Sequence, residues 1–485
     1  MSLTTAFQAA QSSMAVVSAQ SNVVSGNIAG VNSPNYARRT ANVTTDSAGL
    51  ATVSSVTRAT DQTLYDTMLS TTSASSAASA ISSGLNTLQN TVGDTASAQS
   101  PAALVGTLIS DLQSYVSSPD DMNQAQGVVT DAQTTATALN SASILVQTVR
   151  QQADTDMATA VSNINADLVK FQQANNTIIS GGATSGAIND AMDTRDSILQ
   201  NLSQYMGIST LQQSNGGTVI YTDSGVTLFE TTSRTVAFST TTPLSAGVTG
   251  AAVVVDGVPV TGAGSTMPLK SGSIAGLAQL RDTLAPTYQS QLDGIASGLI
   301  SAFSETDPSG GGLPRQTGLL TWSGGPNMPS TSTGLAASIK INPAVDPTQG
   351  GSLTTLRDGG MAGAAYNGNS TGAASYSAHL QSMVTALNTA QSFSSSSGLS
   401  TSATVQNYAT DSVGWLEAQR QSASNNSTFQ TSMQTSATQA LSNTTGVNID
   451  TEMTKMLSLE NSYQASAKLI TAIDSMFNSL MGITA

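Results

Sequence analysis

The chain has 485 residues and a formal net charge of −14, and only 9% of its residues are charged, against about 25% in a typical soluble protein. Its 15 Lys and Arg residues form no cluster, which argues against nucleic acid as a partner. There is no cysteine, so disulfides and cysteine metal sites are excluded. A chain of this length exceeds a single hydrophobic core, and we expect about two to four domains.

The sequence contains no segment that would insert into a membrane. No apolar run approaches the roughly 18 residues that a spanning helix needs. The N-terminus also lacks the pattern of a secretory signal peptide, because no Lys or Arg precedes Arg38 and polar residues 11–13 interrupt any apolar stretch.

A narrow apolar stripe predicts that the chain begins with a long helix. The apolar positions alternate in steps of three and four, and Ser21 interrupts them. The stripe consists of Leu3, Phe7, Ala10, Met14, Val17, Val24, Ile28 and Val31. Residues 32–36 are rich in turn formers and are expected to end this helix.

A set of long helices is predicted next. After a valine-rich, extended segment around residues 43–56, helical periodicity begins at residue 61 and is expected to end at Gly93. Pro101 is expected to open a second helix, which Ser118-Pro119 stops.

A very long third helix follows in the same region. Asp120 or Asp121 can cap its start, and Gly181-Gly182 is expected to end it. A further helix is predicted over residues 188–205, so this part of the chain is interpreted as an elongated helical bundle.

The pattern changes to β structure after residue 207. Two apolar runs, 219–221 and 226–229, flank Asp223-Ser224-Gly225, which predicts a hairpin. Further short strands are expected at residues 236–238, 253–255 and 258–260.

Helix is predicted again over residues 274–303, with a kink at Pro286. Residues 307–372 are rich in Gly, Pro and Ser and are interpreted as loops and irregular β structure. Residues 373–441 are predicted to be a long helical stretch that leads into the last element.

The last forty residues carry a second narrow apolar stripe. Ile449, Met456, Tyr463, Ile470 and Phe477 are seven apart, and Leu459, Ile473 and Leu480 lie three further on, with Ser466 as the polar exception. The two stripes predict that the ends of the chain pair as a coiled coil. Periodicity alone leaves open that each helix packs on its own globular core.

Catalytic chemistry finds no support in the sequence. There is no phosphate loop, dinucleotide fingerprint or nucleophile elbow, and no cofactor or metal is predicted. The one histidine, His379, has no carboxylate pair at metal spacing and is interpreted as a surface or packing residue. The charged residues 193–196 and Arg281-Asp282 are expected to bridge to other helices or carbonyls.

Residues 25–38, Ser-Gly-Asn-Ile-Ala-Gly-Val-Asn-Ser-Pro-Asn-Tyr-Ala-Arg, resemble the signature shared by bacterial flagellar rod, hook and hook-associated proteins. In that signature an Asn-Ile-Ala/Ser-Asn segment leads through a turn to Gly-Tyr and an Arg. Gly30 and Asn35 depart from it. The matching positions are Asn27, Ile28, Asn32, Tyr36 and Arg38.

Other segments narrow the resemblance to the family of flagellar hook-associated protein 1. Residues 446–450 and 463–470 are similar to the closing helix of the axial proteins. Residues 191–203, 274–282 and 341–344 look like internal motifs of this one family. Rod and hook proteins are mainly β between their ends, whereas this chain is predicted to be helical there.

The resemblance implies a mainly α, elongated, out-and-back multidomain axial protein with a β-rich insert and with its N- and C-terminal helices paired as a coiled coil. The expected domains are a terminal coiled coil (1–36 and 446–485), an elongated helical bundle (37–207, 271–306 and 373–445), a β-rich domain (208–270) and a variable Gly/Pro-rich loop or small β region (307–372).

The resemblance further implies a structural subunit, not an enzyme, at the junction between hook and filament. Such a subunit would leave the cell through the flagellar type III apparatus without a cleaved signal peptide. The expected partners are further copies of the chain, the flagellar hook protein, hook-associated protein 3 and a cytosolic export chaperone. The expected assembly interface consists of Phe7, Met14, Val17, Val24, Asn27, Ile28, Asn32, Tyr36, Met456, Leu459, Tyr463, Ile470, Ile473, Phe477 and Leu480.

Three alternatives stay open at this point. The chain could be a hook or distal-rod subunit of the same axial family. It could be a secreted hydrolase carried on flagellar-type ends, although residues 305–370 hold no carboxylate or His cluster. It could also be a surface adhesin whose β region, residues 208–262, binds a ligand.

Overall fold

The computed structural model describes residues 3–33, 35–47, 49–92, 97–180 and 184–483. Pro34, in the predicted turn, and the predicted helix ends at Gly93 and Gly181-Gly182 lie outside the described residues. Among the described helices, none has the length and apolar character that a bilayer crossing requires.

Long helices dominate the fold. They are α1 (Leu3–Gly30), α2 (Gln62–Val92), α3 (Pro101–Ser117), α4 (Met122–Ile179), α5 (Ser185–Tyr205), α6 (Ser273–Gln279), α7 (Ala285–Ala302), α8 (Thr354–Asp358), α9 (Ala378–Asn388), α10 (Val405–Thr445) and α11 (Ile449–Ile483). Two predicted helix starts are confirmed: Pro101 is the first residue of α3, and the Asp121 carboxylate accepts from the backbone amides of Asn123 and Gln124.

Small antiparallel sheets are inserted between the helices. They are the hairpin β1 (Arg39–Thr45) and β2 (Ala51–Arg58), the sheet β3 (Ile208–Gln212), β4 (Thr218–Thr222) and β5 (Thr227–Phe229), the sheet β6 (Val236–Ala237), β7 (Val254–Val255) and β8 (Val258–Pro259), and the pairs β9 (Leu320–Thr321) with β10 (Lys340–Ile341) and β11 (Gln391–Ser392) with β12 (Ser402–Ala403). The hairpin predicted around Asp223-Ser224-Gly225 is confirmed as β4 and β5, and Gly225 adopts the positive φ of 95° that its turn requires.

Helix α4 is the spine of the molecule, because its two halves belong to two hydrophobic cores. Its first half, from Ala125 to Ala153, packs against α3 and α7 and belongs to a core that also includes residues of α9 and of the start of α10. Its second half, from Met157 to Phe171, packs with α5, α6 and the strands of residues 220–260. The 58-residue length of α4 therefore sets the length of this part of the molecule.

The helix predicted over residues 274–303 is interrupted before Pro286. A π-helical turn, Leu280–Leu284, separates α6 from α7, and Pro286 lies in the first turn of α7. The fully buried Arg281 occupies this turn and donates to the Asp154 carboxylate on α4 and to the Ala251 carbonyl. The irregular turn thus places one buried cation between α4 and the loop before β7.

The single helical stretch predicted for residues 373–441 is wrong. The chain forms α9, then the β11–β12 pair, and only then α10. Residues 394–402 explain why the helix is interrupted. The Ser394 hydroxyl accepts a hydrogen bond from the Ser396 amide, and Gly398 has a positive φ of 68°. Serine side chains that bond to their own backbone compete with helix formation, so the apolar periodicity on either side does not join.

Residues 307–372 are irregular, as predicted, but they also contribute to a core. The segment contains β9, β10, α8 and short 3-10 turns. Leu319, Leu335, Ile339, Val345 and Leu356 are buried in the same core as the first half of α4. The segment is therefore packed against the helices.

The chain runs out along its helices and returns along them. Helix α10 packs antiparallel on α2. Residues 427, 431 and 434 of α10 contact residues 79, 75 and 72 of α2, so the residue numbers rise along one helix as they fall along the other. Helix α11 then returns to α1. The predicted fold class, a mainly helical out-and-back protein with helices at both ends, is confirmed.

Candidate assembly interface

Helix α1 packs along α11, so the two ends of the chain lie side by side. The Ser13 hydroxyl is 3.3 Å from that of Ser466, and Asn27 Nδ2 donates to Glu452 Oε2 at 3.0 Å. Residue numbers rise along α1 while they fall along α11, so the two helices are antiparallel and share one register. Ser466, the polar exception in the C-terminal stripe, faces a serine of α1.

The predicted interface residues all lie on α1, on α11 or in the turn after α1. Val17, Val24, Asn27 and Ile473 are buried; Phe7, Met14, Ile28, Tyr36, Met456, Leu459 and Ile470 are half-buried; Asn32, Tyr463, Phe477 and Leu480 are exposed. The register explains the exposure at the end of α11, because it places Leu3 beside residue 476. The described part of α1 therefore ends before it reaches Leu480.

Helix α11 carries further apolar side chains that α1 does not cover. Met453, Leu457, Leu469 and Met476 are each exposed over at least half of their surface, and they lie on more than one side of the helix. The heptad pattern does not indicate these residues, because it concerns only the two positions of each heptad that face a single partner. The available signal was the number of Met and Leu residues outside those positions. Exposed apolar side chains at this density mark an interaction surface.

Asn27 connects α1 to the segment that follows it. Its Oδ1 accepts from the Arg39 amide at 2.9 Å and from the Tyr36 hydroxyl at 3.2 Å. Its Nδ2 donates to the Arg39 carbonyl at 2.9 Å as well as to Glu452. The buried side chain thus uses both amide hydrogens and both lone pairs. It fixes α1, β1 and α11 relative to one another.

Glu452 is the buried anion of this interface, and the sequence analysis did not include it. Its side chain is only 1% exposed, and it also accepts from Lys455 Nζ at 2.8 Å. A signal was available, since Glu452 lies three residues after Ile449 and so falls on the apolar stripe. Burial raises the pKa of Tyr36 above its usual value, despite the opposing effect of Arg39, which keeps the phenol protonated as a donor to Asn27.

Two arginines tie the β1–β2 hairpin to α5. Arg39 Nη2 contacts Asp190 and Asp193 at 2.6 and 2.7 Å. Arg58, which pairs with Arg39 across the hairpin, contacts Asp193 and Asp196 at 2.9 and 2.7 Å. Residues 193–196 were expected to bridge to other helices or carbonyls: Arg195 donates to the Gly216 carbonyl, but Asp193 and Asp196 bridge to the two strands of the hairpin and not to a helix. These ion pairs connect the terminal helices, through Asn27 and Arg39, to the helical bundle.

A cleft of about 890 Å³ lies where these elements meet. Its walls come from the segments 31–33, 35–37, 56–62, 185–200 and 438–447. The Arg38 amide donates to the Thr445 carbonyl at 2.8 Å beside it, which joins the turn after α1 to the end of α10. Asn32, exposed two residues after the end of α1, lines this cleft.

Within the part of the chain that is described, no group of three or more metal-ligating side chains occurs. His379 packs at the start of α9 with its Nε2 3.8 Å from Glu305 Oε1. Burial lowers the pKa of His379 to about 4, so the imidazole is neutral near pH 7. Of the two roles that the sequence left open for His379, at the surface or in packing, its low exposure agrees with packing.

Comparison with known proteins gives two family matches. The model of the flagellar hook-associated protein FlgK helical domain matches residues 85–320. The model of the flagellar basal body rod FlgEFG protein C-terminal region matches residues 437–483. Together they span more than half of the chain and include α4 and α11. No curated protein matches the chain.

Solved structures are also similar to part of the chain, and a flagellar protein is among them. The flagellar hook junction protein FlgK from Burkholderia pseudomallei shares 22% sequence identity with it, at a TM-score of 0.43. The similarity covers 53% of this chain and 47% of that protein, so the chain spans about half the length of that relative. Because family models match its helical bundle and its C-terminal helix, the chain belongs to the FlgK family of structural flagellar proteins.

Proposed function

We propose that the chain is a structural subunit of the junction between the flagellar hook and filament, and that it assembles through its paired terminal helices. The observation that carries the proposal is the pair α1–α11, in which α1 covers only part of α11 and leaves large apolar side chains exposed along and around that helix. A single chain gains nothing from exposing such side chains. Several copies that bury them against one another would gain about 25 cal/mol for each Å² of apolar surface.

The interface residues have two roles in this proposal. Val17, Val24, Asn27 and Ile473 hold α1 and α11 together within one subunit, because they are already buried in it. Tyr463, Phe477 and Leu480, together with the exposed Met453, Leu457, Leu469 and Met476, are available to neighbouring subunits. The ion pairs of Arg39 and Arg58 then transmit the position of the terminal helices to the rest of the subunit.

The partners follow from this position. We infer contacts with further copies of the chain, with the hook protein on one side and with hook-associated protein 3 on the other. Export through the flagellar type III apparatus, with a cytosolic chaperone that holds the chain beforehand, would deliver it outside the cell. A hook or distal-rod subunit would share the terminal helices, but the match to the FlgK helical domain over residues 85–320 favours the junction.

Electron microscopy of cells that lack the gene tests the proposal. We expect bare hooks, with filament protein shed into the medium, and restoration of filaments by the wild-type gene. Normal filaments on the hooks of the deletion strain would overturn the junction role. Hooks that are themselves missing would instead favour the alternative of a hook or distal-rod subunit.

A further inference from the structure

An apolar ridge stands on the surface of α10. Phe429 and Met433 are 59% and 44% exposed and lie one helical turn apart. No charged residue occurs between Arg420 and Asp450, so the surface around the ridge is made of Ser, Thr, Asn and Gln. Two large exposed apolar side chains on an uncharged helix face are more typical of a protein–protein interface than of a surface that stays in contact with solvent.

A groove that could receive such a ridge lies between α2 and α4. Its volume is about 730 Å³, and its lining is mostly small: Ala80, Ser83 and Gly84 come from α2, and Ala153 and Ala160 come from α4. Leu277 and Leu280 supply large apolar side chains to the same groove. Helix α2 carries no charged residue from Thr67 to Val92. The α2 side of the groove is therefore uncharged, like the ridge, whereas the α4 side adds one carboxylate, that of Asp156.

The ridge and the groove occupy neighbouring heights on the molecule but different sides of it. Hydrogen-bonding contacts join residues 427, 431 and 434 of α10 to residues 79, 75 and 72 of α2. This register places Phe429 level with residue 77, and the groove extends along α2 from residue 76 to residue 87. Positions 429 and 433 point away from α2, because they are about 200° around α10 from position 431.

We propose that the Phe429–Met433 ridge of one subunit inserts into the α2–α4 groove of a second copy of this chain. This proposal rests on the proposed function and specifies the surfaces through which the helical bundles of neighbouring subunits are in contact. A ridge on one side and its groove on another form a heterologous contact, which continues from subunit to subunit around a ring or helix. An axial shift of about 10 Å between neighbours centres the ridge in the groove.

A cross-linking experiment tests the contact, and the absence of native cysteine makes it clean. Full-length chains that carry Ser432→Cys, beside the ridge, are mixed with chains that carry Ser83→Cys, in the groove. A short bifunctional maleimide is applied to concentrated protein and to flagella isolated from cells that express both. Val169→Cys, exposed on α4 outside the groove, replaces Ser83→Cys in the control.

We expect cross-linked dimers from Ser432→Cys with Ser83→Cys and at least tenfold fewer with Val169→Cys. Adding Phe429→Ser and Met433→Ser to the first chain should reduce the yield to the level of the control. Flagella that contain the chain but give no specific cross-link would overturn the ridge-and-groove contact and leave the junction role intact. Absence of the chain from flagella would overturn the junction role, and the cross-link in concentrated protein would then decide the contact.

Discussion

At the scale of single residues, Asn27 and Glu452 show what sequence reasoning reaches and what it does not. Asn27 is indicated by the motif to which it belongs, and the structure places its side chain between α1, β1 and α11. The role of Glu452 was not predicted, because a charged residue at a position of the apolar stripe is interpreted as an interruption of the stripe and not as part of the contact between the helices. Its role depends on a partner 425 positions away in the sequence, which no local pattern contains.

Replacement of Asn27 by Ala should weaken the pairing of the terminal helices. The change removes four hydrogen bonds and leaves the buried Glu452 carboxylate with one partner fewer, at a cost of about 1–3 kcal/mol. Hydrogen exchange of the α1 and α11 amides measures the free energy of their opening. Asn32→Ala, an exposed neighbour, is the control and should change it little. Equal protection in both variants would contradict the role assigned to Asn27.

Asp131 predicts a pH dependence of stability. Burial and the neighbouring carboxyl of Asp111 raise the pKa of Asp131 to about 6 in the folded chain. Because this value lies above the ordinary 3.8, the stabilising contribution is complete below about pH 4 and is lost as the pH rises through about 6. Asp131→Asn keeps a hydrogen-bonding group without the charge.

We therefore expect Asp131→Asn to raise the midpoint of urea unfolding near pH 7 and to change it little near pH 4. Asp411→Asn, on the exposed face of α10, removes the same charge elsewhere and serves as the control. A lower midpoint for Asp131→Asn near pH 7 would show that the ionised Asp131 carboxylate stabilises the fold.

At the scale of elements, periodicity located the long helices but did not show where they break. The stripes of α1, α4 and α11 were visible because each repeats over many turns. The π turn at Leu280–Leu284 was not, since it depends on Arg281 reaching Asp154 of another helix. The break before α10 depends on serine side chains that bond to nearby backbone, which apolar periodicity does not report.

The end of α1 supplies a prediction at this scale. A Cβ atom at Gly30 would lie 2.8 Å from ring atoms of Tyr36, so Gly30→Ala must displace the ring and with it the hydrogen bond from Tyr36 to Asn27. Gly414, within α10, has open space around it, and Gly414→Ala should stabilise that helix by about 1 kcal/mol.

Local hydrogen exchange of α1 and α10 in the two variants measures the difference. We expect Gly30→Ala to lower the protection of α1 and Gly414→Ala to raise that of α10. If Gly30→Ala raised the protection of α1, helix propensity would outweigh the contact with Tyr36, and the close packing of the turn on α1 would not be important for stability.

At the scale of the whole molecule, the out-and-back path was predictable because its evidence lies at the two ends of the sequence. Two apolar stripes of matching width predicted two helices that bury these stripes against each other. The structure pairs the helices in antiparallel register. The link from this pair to the bundle was only partly predictable. The charged residues 193–196 indicated contacts with another element, but their partners Arg39 and Arg58 are brought into reach only by the fold of the hairpin.

The central claim is that the terminal helices form the assembly interface of a junction subunit. It is tested most directly by Ile470→Asp with Phe477→Asp, introduced into the deletion strain and examined by electron microscopy. Each change puts a carboxylate on a surface that assembly would bury, at a cost of several kcal/mol when unpaired. Thr107→Asp with Ser114→Asp adds the same charge on the exposed face of α3 and is the control. The account predicts bare hooks for the first pair and normal filaments for the control, and filaments on the hooks of both strains would contradict it.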